Sequence, residues 1–256
     1  MERKKIVVTG MGAFTPLGNT PKEFWSGLVA GRSGIGPMTL CDPSDYPCQI
    51  AGEVNKFDPG QYLDLKETKR MARFSQLAVA AAIQAVDRSR LIVTPGGSNR
   101  IGVILGNGNG GFPTTESGVR TMIERGGMKV SPFFMPMILP NMAASNVSRI
   151  LGIRGYNSTV VTACSASNQA MGEALEVLNP IIPELVGGSA DLTGSNNTKT
   201  KDAEVIARGE YHGRYIYYGV REFGMAAIMN GLALYGGLIP YGGTFLIFSD
   251  YCKPSI

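Results

Sequence analysis

Histidine occurs once in this chain of 256 residues, as His212. Cysteine occurs four times, as Cys41, Cys48, Cys164 and Cys252, and no two form a Cys-x-x-Cys pair. A zinc site needs clustered thiolates and imidazoles, so no metal site is expected. Thiols this scattered also give no disulfide framework. No apolar h-region with a small-residue cleavage site follows Met1-Glu2-Arg3-Lys4-Lys5, so no signal peptide is expected. The longest run free of charge lies around Met225 to Pro240. Its glycines and amphipathic character argue against a membrane span. Together these absences point to the cytoplasm. Net charge is only +4, from 24 basic and 20 acidic residues. No basic run is dense enough to suggest a nucleic-acid partner.

Glycine is plentiful at 34 residues, which implies tight turns and close backbone approaches. Lys5 to Thr9 is a short β-branched run ending in Gly10-Met11-Gly12, a strand followed by a turn. Thr20-Pro21-Lys22-Glu23 starts a helix: Thr20 caps, Pro21 suits the first helical position and Glu23 completes a capping box. That helix carries Phe24, Trp25 and Leu28 and stops near Gly31. A proline-rich loop stretch follows. Ala72 to Ser89 is a helix whose Ala78, Ala81, Ala82 and Ala85 allow close packing. Ile101 to Leu105 is a second strand, running into Gly106-Asn107-Gly108-Asn109-Gly110-Gly111. The glycine spacing and the lack of a following acidic residue argue against a dinucleotide fingerprint and favour a tight turn at a strand end. Pro140 to Leu151 is a helix stopped by Gly152. Ser158 to Val161 is a strand and Ser165 to Leu178 a helix. This alternation predicts an α/β fold with a parallel or mixed sheet.

The turn between the last two elements, Thr162-Ala163-Cys164, carries the chemistry. A residue at a sharp strand-to-helix turn projects its side chain beyond the sheet's end. Small neighbours, Ala163, Ser165, Ala166 and Ser167, keep that position open. The following helix N-terminus favours a thiolate, and its N–H groups suit an oxyanion formed from a thioester carbonyl. This is the logic of a nucleophile elbow with sulfur in place of oxygen. The alternative is a small buried cysteine. Cys41, Cys48 and Cys252 lack such a setting and are read as structural.

Ordered motifs then point to a family. Val7-Val8-Thr9-Gly10-Met11-Gly12, Thr15-Pro16-Leu17-Gly18, Phe24-Trp25 and Gly31-Arg32-Ser33-Gly34-Ile35 resemble the opening of a β-ketoacyl-acyl-carrier-protein synthase. Gly106 to Gly111 resembles that family's glycine-rich strand end. Val161-Thr162-Ala163-Cys164-Ser165-Ala166 resembles its active-site cysteine motif. The resemblance covers residues 1–178. It implies the N-terminal half of a thiolase-like layered fold, Cys164 as the acyl-accepting nucleophile, no cofactor, an acyl carrier protein as partner and a homodimer. The family adds two catalytic histidines and a lysine in its second half. The surroundings of His212, Glu210-Tyr211-His212-Gly213-Arg214, match neither histidine motif and read as an exposed loop.

Residues 179–256 resemble something else, a transketolase pyrimidine-binding domain. The resemblance rests on Pro183 to Thr193, on Tyr217-Tyr218-Gly219-Val220-Arg221-Glu222-Phe223-Gly224-Met225 and on Pro240 to Phe245. It implies Glu222 against the aminopyrimidine of thiamine diphosphate, Phe245, Phe248 and Tyr251 around that ring, and Ser195 on a sugar phosphate. Without the resemblance, Glu222 is a helix N-terminal charge and the phenylalanines are core packing. No Gly-Asp-Gly diphosphate motif occurs in the chain. The expectation is therefore a partial synthase fold joined without a linker to a partial thiamine-diphosphate-enzyme pyrimidine domain. The synthase half sets the expected function, an acyltransferase of fatty-acid or polyketide synthesis with condensation incomplete. A transketolase-like enzyme and a non-catalytic chimera or truncated product are the alternatives. Two partial domains also predict exposed apolar surface.

Overall fold

A computed structural model describes residues 8–255. Most of the strand expected over Lys5–Thr9 thus lies outside the described residues. The α-helices are α1 (Pro21–Val29), α2 (Leu65–Thr68), α3 (Arg73–Ser89), α4 (Phe112–Arg125), α5 (Phe134–Ile138), α6 (Met142–Leu151), α7 (Ala166–Leu178), α8 (Thr193–Asn196) and α9 (Glu222–Tyr235). The strands are β1 (Ile35–Pro37), β2 (Ile50–Gly52), β3 (Val103–Gly106), β4 (Asn157–Val160), β5 (Leu185–Ser189), β6 (Tyr215–Tyr217) and β7 (Ile239–Gly243). The architecture is α/β. Two compact units divide it, one of Val8–Val103 and Gly110–Asn157, the other built on Ile104–Asn109 and Ser158–Ile256.

In the first unit, α1 begins as its sequence dictates. The Glu23 N–H donates to Thr20 Oγ1 at 3.2 Å, and the Asn19 N–H donates to the Glu23 carboxylate at 2.8 Å. The alanine-rich α3 is closely packed. A Cβ at Gly10 would sit 2.0 Å from the Ala85 carbonyl oxygen, and one at Gly12 only 1.9 Å from that of Ala81. Val79 on the same helix is fully buried with Leu63, Met71 and Val147 of α6. Arg149 on α6 grips the Glu67 carboxylate of α2 with two N–H groups, which holds Glu67 below the usual carboxylate range. Gly152 stops α6 in the left-handed region at φ 70°. The proline-rich stretch is not all loop: β1 and β2 pair antiparallel, Gly36 opposite Ala51.

In the second unit, β5 is the middle strand of a parallel sheet ordered β6-β5-β7. Every residue of β5 is buried. Its glycines make room for side chains and backbone of the neighbours: a Cβ on Gly187 would strike the Tyr241 ring, and one on Gly188 the Ile216 carbonyl oxygen at 1.9 Å. The unit's apolar core is Ala190, Tyr218, Met225, Ala226 and Cys252. β3 and β4 form a separate two-stranded sheet. Large apolar side chains stand exposed in both units, among them Trp25, Phe112 and Ile123 in the first and Met171, Val220 and Leu234 in the second. No helix among the described residues is long and apolar enough to cross a membrane.

Candidate active site

Strand, turn and helix follow one another around Cys164 as the residue pattern predicts. β4 ends at Val160, residues Ala163–Ser165 form one 3₁₀ turn, and α7 starts at Ala166. Cys164 is exposed in that turn. Ala163 sits at φ 50°, a left-handed conformation that costs a side-chain-bearing residue about 1–2 kcal/mol. The strain is held by the turn's hydrogen bonds. The Ser165 N–H and hydroxyl both donate to the Thr162 carbonyl, at 3.1 and 2.8 Å. The Ala166 N–H donates to the Ala163 carbonyl. These two N–H groups, which the helix-terminus argument counts as anion donors, are thereby occupied inside the turn.

The helix is brought up close to the strand end. A Cβ on Gly106, the last residue of β3, would lie 2.5 Å from backbone atoms of Ala166 and Ser167. Along its length α7 buries Ala166, Ala170 and Gly172. A Cβ on Gly172 would lie 2.5 Å from the Asn197 carbonyl oxygen. The loop after β5 is thus pressed onto the same helix that carries the cysteine turn.

That loop is held by a buried polar network. The Asn196 side-chain amide donates to Ser189 Oγ at 2.9 Å, and Ser189 Oγ donates to the Gly243 carbonyl at 3.1 Å. The Thr198 hydroxyl donates to Asn196 Oδ1 at 3.0 Å. The Tyr215 hydroxyl lies 2.8 Å from the hydroxyls of both Thr193 and Thr198. Tyr241 donates to the Thr198 carbonyl at 2.8 Å, and burial pushes its own pKa up to about 12. Such a network fixes α8, and with it Ser195, because leaving any member unpaired would carry a desolvation cost.

A cleft of about 480 Å³ opens beside the cysteine, lined by Cys164, Ser165, Asn168, Gln169, Gly194, Ser195 and Phe245. Cys164, expected on one ground, and Ser195 and Phe245, expected together on another, therefore line one cavity. Asn168 and Gln169 escaped the sequence reading, although Asn168 stands one helical turn after Cys164 and shares its face.

The other expected residues lie elsewhere in the unit. Glu222 is buried at the first position of α9. Phe245, Phe248 and Tyr251 stack on one another, with ring centroids 6.2 and 6.3 Å apart. Residues Leu246–Ser255 are 3₁₀-helical, with three residues per turn, so positions three apart align in one row. Tyr251 is 62% exposed. His212 is exposed on a loop, its Nε2 3.1 Å from the Glu204 carboxylate. It does not line the cleft. Among the described residues no group of three His, Cys, Asp or Glu side chains is placed to hold a metal.

A larger cleft of about 810 Å³ lies in the first unit, lined in part by Thr15 to Thr20, Glu23, Arg32 and Glu53. Its carboxylates are committed to local backbone. Glu53 accepts from the Thr39 hydroxyl and N–H and from the Leu40 N–H, which hold it below the usual range. It contains no cysteine or histidine.

Comparison with known proteins finds a family for each set of motifs. The family described as Beta-ketoacyl synthase, N-terminal domain, matches residues 3–198. The chain belongs to the β-ketoacyl synthase family. A second family, Transketolase, pyrimidine binding domain, matches residues 165–256, so the two overlap across α7 and α8. The 3-oxoacyl-[acyl-carrier-protein] synthase 2 of Synechocystis sp. is 43% identical over 178 residues, 70% of this chain and 43% of that protein. The protein of the same name from Staphylococcus aureus strain COL is 40% identical over 177 residues, 69% of this chain and 43% of its own. The chain thus spans less than half the length of these curated relatives. Among solved structures, a β-ketoacyl synthase from Burkholderia phymatum aligns with TM-score 0.60 and 28% identity, over 71% of this chain and 45% of that one. The fold over this stretch is therefore thiolase-like.

Proposed function

We propose that this chain is a β-ketoacyl-ACP-synthase-like acyltransferase of fatty-acid or polyketide synthesis, which carries its acyl group on Cys164. The observation that carries the reading is an exposed thiol on a strained turn at the head of α7, opening onto a cleft. The Cys164 sulfur attacks the thioester carbonyl, the bond from that carbon to the carrier's sulfur breaks, and the carrier leaves as a free thiol that takes the proton. Because the Ser165 and Ala166 N–H groups are engaged within the turn, the carbonyl oxygen takes its hydrogen bonds from the Cys164 N–H and the Asn168 side-chain amide. The donor is an acyl carrier protein, in keeping with the names of the synthase relatives. The assembly is a homodimer, measurable by light scattering. Condensation with a malonyl unit stays incomplete, since His212, which matches neither of the family's histidine motifs, does not line the cleft. Intact mass after incubation with an acyl thioester tests the reading. One acyl adduct, lost in Cys164→Ala, is the expected result. A folded chain that alkylates at Cys164 yet takes no acyl group would overturn it, and favour a non-catalytic chimera.

The match over residues 165–256 favours a second reading, thiamine diphosphate held by Glu222 and the aromatic row. The residues present fit that cofactor poorly. Phe248 is stacked between Phe245 and Tyr251, which leaves no slot between the rings for another. Titration calorimetry with thiamine diphosphate and Mg²⁺ should show no binding heat.

A further inference from the structure

We infer that the segment after α7 supplies the acyl-contacting wall for Cys164, with Phe245 as its apolar stop, so that the site takes short acyl groups. The inference rests on the acyl-acceptor role proposed above. It starts from where the cleft's residues come from. Cys164, Ser165, Asn168 and Gln169 belong to the cysteine turn and α7, whereas Gly194, Ser195 and Phe245 follow the sheet strands β5 and β7. Ser195 lies on α8 just beyond the carboxyl end of β5, and Phe245 just beyond that of β7. Crevices outside the carboxyl ends of parallel strands are where open α/β sheets take ligands. The sheet therefore aims its ligand-facing end at the nucleophile.

The lining decides the substrate class. Serine hydroxyls, side-chain amides and a glycine make up most of it, and Phe245 is its one large apolar side chain. Phe245 is 37% exposed, and its ring stacks on that of Phe248 with centroids 6.2 Å apart. A single supported ring face can cover a few methylenes and no more. Beyond it, a longer chain would lie against polar groups or in water and gain nothing. A fully buried methylene favours binding about fourfold, and one half covered about twofold. A butyryl group, two methylenes longer than acetyl, should gain about fourfold over acetyl. Octanoyl should gain no more than butyryl.

The test uses the full chain and a series of acyl N-acetylcysteamine thioesters, acetyl, butyryl, octanoyl and lauroyl, with the rate of adduct formation at Cys164 read by intact mass. The expected result is a butyryl-to-acetyl ratio near four and a plateau thereafter. Phe245→Ala should bring that ratio to about one, and Phe245→Leu, which keeps apolar bulk and guards against misfolding, should retain most of it. A loss of thiol reactivity alone would slow all donors together and leave the ratio unchanged, and a circular dichroism spectrum matching that of the unmodified chain excludes a loss of fold. A rate climbing steadily from butyryl to lauroyl, or an unchanged ratio in Phe245→Ala, would overturn the inference while leaving Cys164 as the acceptor. No adduct with any donor would instead sink the acceptor role.

Discussion

Gly106→Ala tests the geometry on which the cysteine turn depends. The Cβ it adds would lie 2.5 Å from the carbonyl carbon and oxygen of Ala166 and from the Ser167 Cα. Ordinary carbon contacts sit at about 3.5–4.0 Å, so the strand end and the helix head must separate by about 1 Å. All three atoms are backbone, and no side chain can swing away. Overpacking of this kind costs about 1–3 kcal/mol, and the rigid partners put this case at the upper end. The smaller entropy of the unfolded alanine chain returns only about 0.4–1 kcal/mol, leaving a net loss of about 2 kcal/mol. Gly231→Ala is the matched control. It lies in the middle of α9 in the same unit, with nothing within 4 Å of its would-be Cβ. It should stabilise by about 0.5–1 kcal/mol through helix propensity alone. The same chemical change should thus have opposite signs at the two positions. Urea unfolding followed by circular dichroism measures both, and hydrogen exchange should find the amides of α7 less protected in Gly106→Ala. Equal stability of Gly106→Ala and the unmodified chain would refute the close approach of β3 to α7.

Three further outcomes are expected. Cys252 is buried, its Sγ 3.5 Å from the Glu222 carbonyl oxygen, and burial pushes its pKa up. Under native conditions maleimide should label Cys41, Cys48 and Cys164 and reach Cys252 only on unfolding, as peptide mapping will show. Burial raises the pKa of Tyr215, Tyr218 and Tyr241, the last to about 12. Their contribution to stability is complete below the unfolded tyrosine pKa of about 10 and is lost as pH rises from about 10 towards 12. Alkaline unfolding followed by circular dichroism should show this fall, and Tyr241→Phe should make it shallower. The proposed incomplete condensation predicts carbon dioxide release from malonyl thioester near background, since the lack of one enolate donor alone costs about a hundredfold or more. A Cys164-dependent rate equal to that of an intact synthase would contradict this.

The local elements were legible because their signals are local. Thr20 and Pro21 announce α1, Gly152 ends α6, and the small residues around Cys164 mark a turn that the structure places within a residue of the expected position. Strand ends moved by one or two residues, since short strands have no caps to fix them. The β1–β2 ribbon was hidden by Pro37 and Pro43, which favour a loop reading although β1 can end on a proline. The spacing of Phe245, Phe248 and Tyr251 is plain in the sequence, but its meaning depends on the helix type. A 3₁₀ segment turns that spacing into a stack, whereas an α-helix would have spread the rings around its surface.

What no local pattern could reveal is that Ser195 and Phe245 meet Cys164, because composition predicts close approaches at glycines without saying which glycine meets which element. Gly106 lets α7 lie against β3, and Gly172 lets the Asn197 loop lie against α7. One helix therefore serves both matched families, which overlap across it. Its buried positions are Ala166, Ala170 and Gly172, so it asks little in shape of whatever packs there. A helix with small buried residues can accept a foreign partner where one with large residues would need a matching surface. This explains physically how stretches matched by two families can share one helix and still place polar and aromatic side chains beside Cys164. It also locates the weak point. Gly172→Ala would drive a Cβ to 2.5 Å from the Asn197 carbonyl oxygen. It should move α8 and Ser195 while leaving the Gly106 contact intact. Selective loss of protection at residues 193–198, with the amides around Cys164 unchanged, is the pattern that hydrogen exchange should show. Equal loss at both places would mean that the two contacts do not act separately.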